Sequence, residues 1–208
     1  LARAAAGEVM GKNDRIISVE TSYSDGENAS YRLMSNGFEG ESKSTWYSVS
    51  ASVAIKGEGE ARPSDYWYGS SLFYDKLPKT DIGSVALERV LRELGQKKAK
   101  SGKYTMVVDP INSGRMLSPV LSALYGSSLQ QKNSFLIDKL DQKVFSDKLT
   151  VMDDPHVIGA NGSRYFDNEG VATEHRPIFE NGVLKTYFFD TYNAKKMGVA
   201  PTISGPSR

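Results

Sequence analysis

The segment Trp46-Tyr-Ser-Val-Ser-Ala-Ser-Val-Ala-Ile55 has the most regular pattern of apolar and polar residues in this chain of 208 residues. Its alternate positions form an apolar face of Tyr47, Val49, Ala51, Val53 and Ile55. The opposite face has three serines together with Trp46 and Ala54. A period of two with one apolar face is typical of a half-buried antiparallel strand. The segment therefore predicts a sheet that covers a core on one side.

The residues around this strand predict an antiparallel meander. Three further stretches have strand patterns: residues 15–23, 29–36 and 65–69. Clusters of turn-forming residues separate them, and Asn36-Gly37 is the strongest of these turns. Residues 81–94 then change to a helical period, with Thr80 or Asp81 as the expected N-cap. The first 100 residues are thus expected to form four strands with packed helices, one of them at residues 1–11.

The second part, residues 101–208, predicts a strand at 104–108 and a helix at about 116–125. Pro119 either follows Ser118 as an N-cap or kinks a longer helix, because proline deep in a helix loses a hydrogen bond. A hairpin is predicted at 173–189 and a short helix at 192–197. The expected fold class is therefore α+β: an antiparallel β-meander with packed helices, followed by a smaller part rich in β-hairpins. Both ends resemble interrupted segments, so a fragment of a longer chain is expected.

Composition excludes several classes of function. The formal net charge of +1 provides no general attraction for nucleic acid, so direct nucleic-acid binding is not expected. The chain has no cysteine, which excludes disulfides and thiolate metal sites within these residues. No apolar run reaches the roughly 20 residues of a membrane span. A cytoplasmic protein fits these observations.

Several polar residues are candidates for chemistry, and a structural role is the simpler interpretation of each. His156 and His175 lack the close spacing of a zinc pair. Asp167 and Glu169 flank Asn168 in a typical turn sequence, which does not establish a paired acid and base. Ser118 and Ser122 lack the glycine-flanked elbow of a nucleophilic serine, so helix capping explains Ser118 more simply.

Two surface features have binding and structural interpretations. An aromatic set could line a peptide groove, although cross-strand packing is the commoner role for such residues. Its members are Trp46, Tyr47, Tyr66, Trp67, Tyr68, Phe73 and Tyr74. Trp46 and Trp67 are the candidates for peptide contact. The basic run from Lys97 to Lys103 could contact phosphates, but a solvated linker is the simpler interpretation.

Three ordered motifs resemble the TldD/PmbA family, whose members are also called modulators of DNA gyrase. The motifs are Phe166-Asp-Asn-Glu-Gly-Val-Ala-Thr173, Glu180-Asn-Gly-Val-Leu-Lys-Thr-Tyr187 and Tyr192-Asn-Ala-Lys-Lys-Met-Gly198. Weaker similarities continue upstream, including Tyr47-Ser-Val-Ser-Ala-Ser52, so the resemblance extends over nearly the whole chain. Members of the family are about twice this length, which agrees with the expectation of a fragment.

The resemblance implies a cytoplasmic, zinc-dependent peptidase of two subunits. The TldD subunit has His-Glu-x-x-x-His on the helix after the first strand of this part, whereas the TldE subunit lacks that motif. Here Ser118, Pro119 and Ala123 stand at the motif positions, and none of these three can bind zinc or activate water. The resemblance therefore implies a TldE-type subunit without a catalytic, metal or cofactor site of its own. Zinc is expected in a TldD-like partner and the substrate is expected to be a peptide, while homodimerisation in isolation stays open.

Two alternatives remain open from the sequence. The chain could be a peptidase or hydrolase whose site is not recognisable, for example around His156 and His175. It could also be a regulatory binding module that acts on DNA gyrase, although its near-zero net charge counts against direct contact with DNA.

Overall fold

The computed structural model describes residues 1–207, which form an α+β structure as predicted. The helices are α1 (Ala2–Gly7), α2 (Ile82–Leu91), α3 (Pro110–Ser122), α4 (Gly126–Gln130) and α5 (Thr191–Met197). The strands are β1 (Ile16–Leu33), β2 (Glu39–Ile55), β3 (Ser64–Ser71), β4 (Val151–Asp153), β5 (Arg176–Glu180) and β6 (Val183–Leu184). No helix within the described residues is both long and apolar enough to cross a membrane.

The chain folds into two compact units that are not continuous in sequence. Unit 1 contains residues 1–30 and 41–103, and unit 2 contains residues 31–40 and 104–208. The β1–β2 hairpin starts and ends in unit 1, but its tip belongs to unit 2. The sequence pattern did not indicate that ten residues from the first half of the chain pack with the second half.

Unit 1 is a three-stranded antiparallel sheet, in the order β1-β2-β3, packed against α1 and α2. The alternating face of β2 lies in the core as predicted, with Val49, Ala51, Val53 and Ile55 at most 1% exposed. Gly83 of α2 lies so close to α1 that a Cβ there would be 2.1 Å from the carbonyl oxygen of Ala5.

The amino end of α2 is capped differently from the prediction. Asp81 is the N-cap, but neither Asp81 nor Thr80 bonds a helix amide with its side chain. Instead the Glu8 carboxylate accepts hydrogen bonds from the amides of Asp81 (3.0 Å) and Gly83 (2.7 Å). A carboxylate supplied by α1 thus satisfies backbone donors that would otherwise have no helical partner.

The meander has three strands rather than the four that were predicted. Residues 24–28 form no turn, because β1 continues through them along β2. Gly26 instead provides space for a side chain on the neighbouring strand, since a Cβ there would be 2.6 Å from the Trp46 indole nitrogen. The chain reverses at residues 35–37, with Gly37 at φ 89°, in agreement with the predicted Asn-Gly turn.

Unit 2 has a small antiparallel sheet, in the order β4-β5-β6, that covers a separate core. Asn181 and Gly182 both have positive φ and form the tight turn between β5 and β6 that was predicted from Asn-Gly. The core includes Leu124, Phe179, Leu184, Phe188 and Ile203, all at most 1% exposed. The side chain of Asp190 accepts a hydrogen bond from the amide of Asn193 (2.7 Å) and so caps α5.

The strand predicted at residues 104–108 is not formed. These residues are irregular, and Tyr104, Met106 and Val107 are 68%, 68% and 91% exposed. A β-branched run becomes a strand only where a neighbouring strand satisfies its backbone groups, and residues 104–108 pair with no strand within residues 1–207. The helix that follows starts at Pro110 rather than near 116, and it ends at Ser122.

Candidate functional site

The candidate site is built on α3, and this helix begins with a strong N-terminal signature. The Asp109 side chain accepts a hydrogen bond from the amide of Ile111 (3.0 Å), and Pro110 occupies the first turn, where its missing N–H costs nothing. Pro119 lies inside the helix. The alternative in which Ser118 caps a helix that starts at Pro119 is therefore wrong, because Asp109 starts the helix more than two turns earlier.

The hydroxyl groups of α3 bond to the helix itself. Ser118 Oγ donates to the carbonyl of Gly114 (3.2 Å), and Ser122 Oγ donates to the carbonyl of Ser118 (2.9 Å). Neither bond leads to a base that could take up the proton. These two side chains therefore show the back-bonding that is common for serine in helices, without a base to activate an attack.

A cleft of about 410 Å³ runs along this helix. It is lined by Gly114, Ser118, Leu121, Ser122, Tyr125, Pro206 and Ser207. A second cavity, of about 390 Å³, shares Tyr125 and Pro206 with the first. Its other lining residues are Gly162, Ser163, Arg164, Asn168, Ser204 and Gly205. Residues 204–207 therefore border both cavities.

The positions predicted to replace the zinc motif do not suit a metal. Ser118 and Pro119 are exposed on α3, and Ala123 is buried just after it. A hydroxyl bonded to the helix, a proline ring and a methyl group supply no zinc ligand. Within residues 1–207, no group of three or more His, Asp or Glu side chains is placed to hold a metal ion.

Asp167 is a buried carboxylate that organises the loop around it. Its oxygens accept hydrogen bonds from the amides of Glu169 (2.8 Å), Val171 (3.0 Å) and Ser204 (2.8 Å). Burial alone would raise the pKa of Asp167, but these hydrogen bonds outweigh burial and hold its pKa below the usual range. Asp167 is thus an ionised structural acceptor.

Glu169 does not pair with Asp167 as an acid and base. Its carboxylate accepts hydrogen bonds from the amide (2.8 Å) and the hydroxyl (2.7 Å) of Thr191, at the start of α5. The two carboxylates are therefore occupied by different backbone segments, which agrees with the structural interpretation of this turn.

Asp153 is also buried, but the balance of effects on its pKa is the opposite. Burial raises the pKa of Asp153, and a hydrogen bond from the amide of Ser207 (2.7 Å) and the positive charges of Arg176 and Arg164 offset only part of that rise. Its second oxygen, Oδ2, has no hydrogen-bond partner. The Nε atoms of both arginines are likewise buried without partners.

The two histidines are exposed, and their side chains have different neighbours. The Nε2 atom of His156 is 3.2 Å from Thr173 Oγ1, and its ring lies 5.5 Å from the ring of Tyr165. His175 lies just before β5. The structure provides no arrangement in which the two imidazoles and a carboxylate converge within the described residues.

The two tryptophans are on opposite faces of the sheet in unit 1. Trp67 pairs with Ala51 on the core face, is partly buried, and has the Arg89 guanidinium 5.3 Å from its ring. Trp46 lies on the other face, over Gly26, and is 45% exposed. The two side chains therefore cannot line one groove together. The basic residues from Lys97 to Lys103 lie in an exposed, irregular connector.

The fold and the site together define a two-unit α+β protein with a helix-lined cleft. Two family models match it: the PmbA/TldA metallopeptidase central domain at residues 1–94 and the PmbA/TldA metallopeptidase C-terminal domain at residues 101–207. The chain therefore belongs to the PmbA/TldD metallopeptidase family.

Individual proteins of known sequence or structure agree with this assignment. A metalloprotease PmbA homologue of Haemophilus influenzae is 35% identical over 161 residues, which covers 76% of this chain and 35% of the relative. A crystal structure of a proposed modulator of DNA gyrase from Bacteroides thetaiotaomicron is 68% identical, with a TM-score of 0.97. That match covers 99% of this chain and 47% of the other.

A more distant structure shares the fold alone. TldE from Thermococcus kodakarensis is 20% identical, with a TM-score of 0.72 over 90% of this chain and 44% of that protein. In each of these three matches the chain spans less than half the length of the other protein.

Sequence reasoning missed the polar residues that hold residues 204–207. Arg164 lies in no motif of the sequence. Asp153 begins Asp153-Asp154-Pro155, which suggests only a possible metal ligand beside His156 and gives no link to residues 204–207. Its burial, however, depends on a segment more than 50 residues away.

Proposed function

We propose that this chain belongs to a TldE-like, non-catalytic subunit of a heteromeric zinc metallopeptidase that processes unfolded peptides. The metallopeptidase family supports the general class of this proposal. The main supporting observation is α3 and the residue after it, where Ser118, Pro119 and Ala123 stand at the positions of the ligands and the base that the family resemblance implies. The subunit would shape the peptide-binding chamber, while a TldD-like partner in the cytoplasm would hold the zinc.

The test combines metal content with activity. The purified chain is expected to contain no stoichiometric zinc by plasma mass spectrometry and to leave an unstructured casein substrate intact. Addition of a TldD-like chain from the same organism should produce a stable complex and peptidase activity. A partner whose motif histidines are changed to alanine should form the complex but leave the substrate uncut.

Matched variants of this chain separate the proposal from a hidden active site. His156→Ala and His175→Ala should leave the activity of the complex unchanged, because both side chains lie outside the α3 cleft. Zinc-dependent proteolysis by this chain alone would refute the proposal.

A further inference from the structure

Residues 204–207 are held in unit 2 through their main chain. The Asp167 carboxylate accepts from the amide of Ser204 (2.8 Å), and the Asp153 carboxylate accepts from the amide of Ser207 (2.7 Å). Between them, Arg164 Nη2 donates to the carbonyls of Gly205 (2.6 Å) and Pro206 (3.4 Å). The two carboxylates accept from backbone amides and the guanidinium donates to backbone carbonyls. The three side chains therefore bond to the main chain of the segment, independently of its side chains.

The side chains of the segment contribute through their small size. The chain bends at Ser204 and Gly205, and Gly205 packs against Tyr125. A Cβ at Gly205 would be 2.7 Å from the Tyr125 ring and 2.9 Å from its hydroxyl. Such distances are shorter than a normal contact between non-bonded atoms, so this position selects glycine. Ile203, just before the segment, is fully buried and anchors the chain on that side.

Open space remains on both sides of the segment. The two cavities, of about 410 and about 390 Å³, meet at Tyr125 and Pro206. Displacement of residues 204–207 would join them into one groove from Gly114 on α3 to Gly162. Cavities of this size are large enough to hold a small ligand or a few residues of a peptide.

The segment also leaves buried hydrogen-bonding capacity unused. Asp153 is only 2% exposed, yet its Oδ2 has no partner, and the same is true of Arg164 Nε and Arg176 Nε. Most buried polar groups in folded proteins are paired, because an unpaired buried group loses its hydrogen bonds to water without replacement. The main chain of residues 204–207 therefore bonds to Asp153, Arg164 and Asp167 but leaves some buried polar atoms of these side chains without a partner.

We propose that the groove between α3 and residues 162–168 is a binding site for a short peptide bend with glycine at the position of Gly205. In this chain residues 204–207 are its resident occupant. The inference deepens the proposed function, on which it rests, by assigning a peptide-contacting site to specific residues: Asp153, Arg164, Asp167 and Tyr125. The bound form is a bend held by side chains rather than a strand added to a sheet.

The first experiment measures binding of a fluorescent copy of residues 202–207, Thr-Ile-Ser-Gly-Pro-Ser, blocked at both ends. Gly205→Val in the full chain should displace the resident segment from Tyr125 and leave the groove residues intact. Fluorescence anisotropy should then show at least about tenfold tighter binding than with the unchanged chain, because the competing occupant is weakened. The same peptide with valine in place of glycine should not bind.

A second substitution tests the groove itself. Arg164→Met, added to Gly205→Val, removes the donor to the Gly205 and Pro206 carbonyls while it keeps the length of the side chain. Peptide binding should fall by about tenfold or more, as expected for the loss of a charge-assisted hydrogen bond. Equal binding of the glycine and valine peptides, or no effect of Arg164→Met, would overturn the proposal.

The unchanged chain provides a measurement that needs no variant. Excess peptide should accelerate hydrogen exchange at the amides of Ser204 and Ser207, because the segment loses its two carboxylate partners when it is displaced. No acceleration at saturating peptide would contradict the proposal even if Gly205→Val did not fold. These measurements require neither zinc nor a partner subunit, so their failure is distinguishable from failure of the proposed subunit role.

Discussion

Asp153 and Asp167 show how similar burial leads to opposite protonation behaviour. Both carboxylates are 2% exposed, and both accept from an amide of residues 204–207. Asp167 accepts hydrogen bonds from three backbone amides, which stabilise its charged form enough to lower its pKa. Asp153 accepts a hydrogen bond from one backbone amide and has an unpaired oxygen, so burial dominates and its pKa is raised. The balance between burial and the hydrogen bonds to the charged form therefore differs between the two residues.

This contrast predicts pH dependences of opposite sign. The lowered pKa of Asp167 contributes stability that is present above the pKa of an unfolded aspartate, about 3.9, and is lost as the pH falls through the folded value. The raised pKa of Asp153 imposes a cost at neutral pH, which is relieved as the pH falls through its folded value toward about 3.9. Urea unfolding of Asp167→Asn and Asp153→Asn, between about pH 3 and pH 7, would measure both effects.

Each variant is the control for the other. As the pH rises, the free energy of unfolding of Asp167→Asn should fall further below that of the unchanged chain, whereas Asp153→Asn should gain relative to it. If both variants changed their free energy of unfolding in the same direction with pH, relative to the unchanged chain, the two carboxylates would not have pKa shifts of opposite sign.

At the scale of the element, α3 combines a favourable start with an unfavourable interior. Asp109 and Pro110 satisfy the requirements of a helix N-terminus. Pro119, nine residues further on, has no N–H to donate and clashes with the carbonyl four residues earlier. The helix forms nonetheless because Val120 and Leu121 pack against the core of unit 2. Packing therefore overrides local propensity in the last turn.

The two prolines of α3 provide a matched pair of substitutions. Pro119→Ala should raise the free energy of unfolding of unit 2 by about 1–3 kcal/mol, because it restores an interior hydrogen bond and removes the clash. Pro110→Ala should change it by less than about 1 kcal/mol, because the first turn needs no donor at that position. Chemical denaturation followed by circular dichroism would measure both. Equal effects of the two substitutions would show that the interior position imposes no strain.

At the scale of the whole molecule, the two compact units do not correspond to the two halves of the chain. The tip of the β1–β2 hairpin belongs to unit 2, where Phe38 packs edge-on against Phe166 with ring centres 5.0 Å apart. Arg32 Nη1 donates to the carbonyl of Asp167 (3.0 Å), and Phe38 also lies against Gly170. Residues separated by more than 120 positions thus complete one compact unit.

Limited proteolysis tests this arrangement. Trypsin should cut first between Lys97 and Lys103, because this connector is exposed and forms no helix or strand. The two fragments should remain together on size-exclusion chromatography, since residues 31–40 of the first fragment are part of unit 2. Intact mass spectrometry would locate the cut.

Phe38→Ala is the matched variant for the nicked protein. It removes the aromatic contact with Phe166 and leaves the connector unchanged, so the cut should occur at the same place and the fragments should separate more readily. Fragments that separate without this substitution would show that the hairpin tip does not hold them together.

The sequence by itself determined the features that depend on neighbouring residues. The alternation in β2 and the Asn-Gly turns at residues 36–37 and 181–182 follow from side-chain period and turn chemistry over a few positions. Local chemistry is enough for these features because their partners lie within a few residues.

The tertiary structure alone decided which residues meet across long separations. It left residues 104–108 outside any strand, extended β1 through Gly26, placed the two tryptophans on opposite faces and brought Asp153, Arg164 and Asp167 to residues 204–207. Each outcome depends on burial or on a hydrogen-bond partner that is distant in sequence. A strand needs a neighbour and a buried carboxylate needs donors, and only the folded chain provides them.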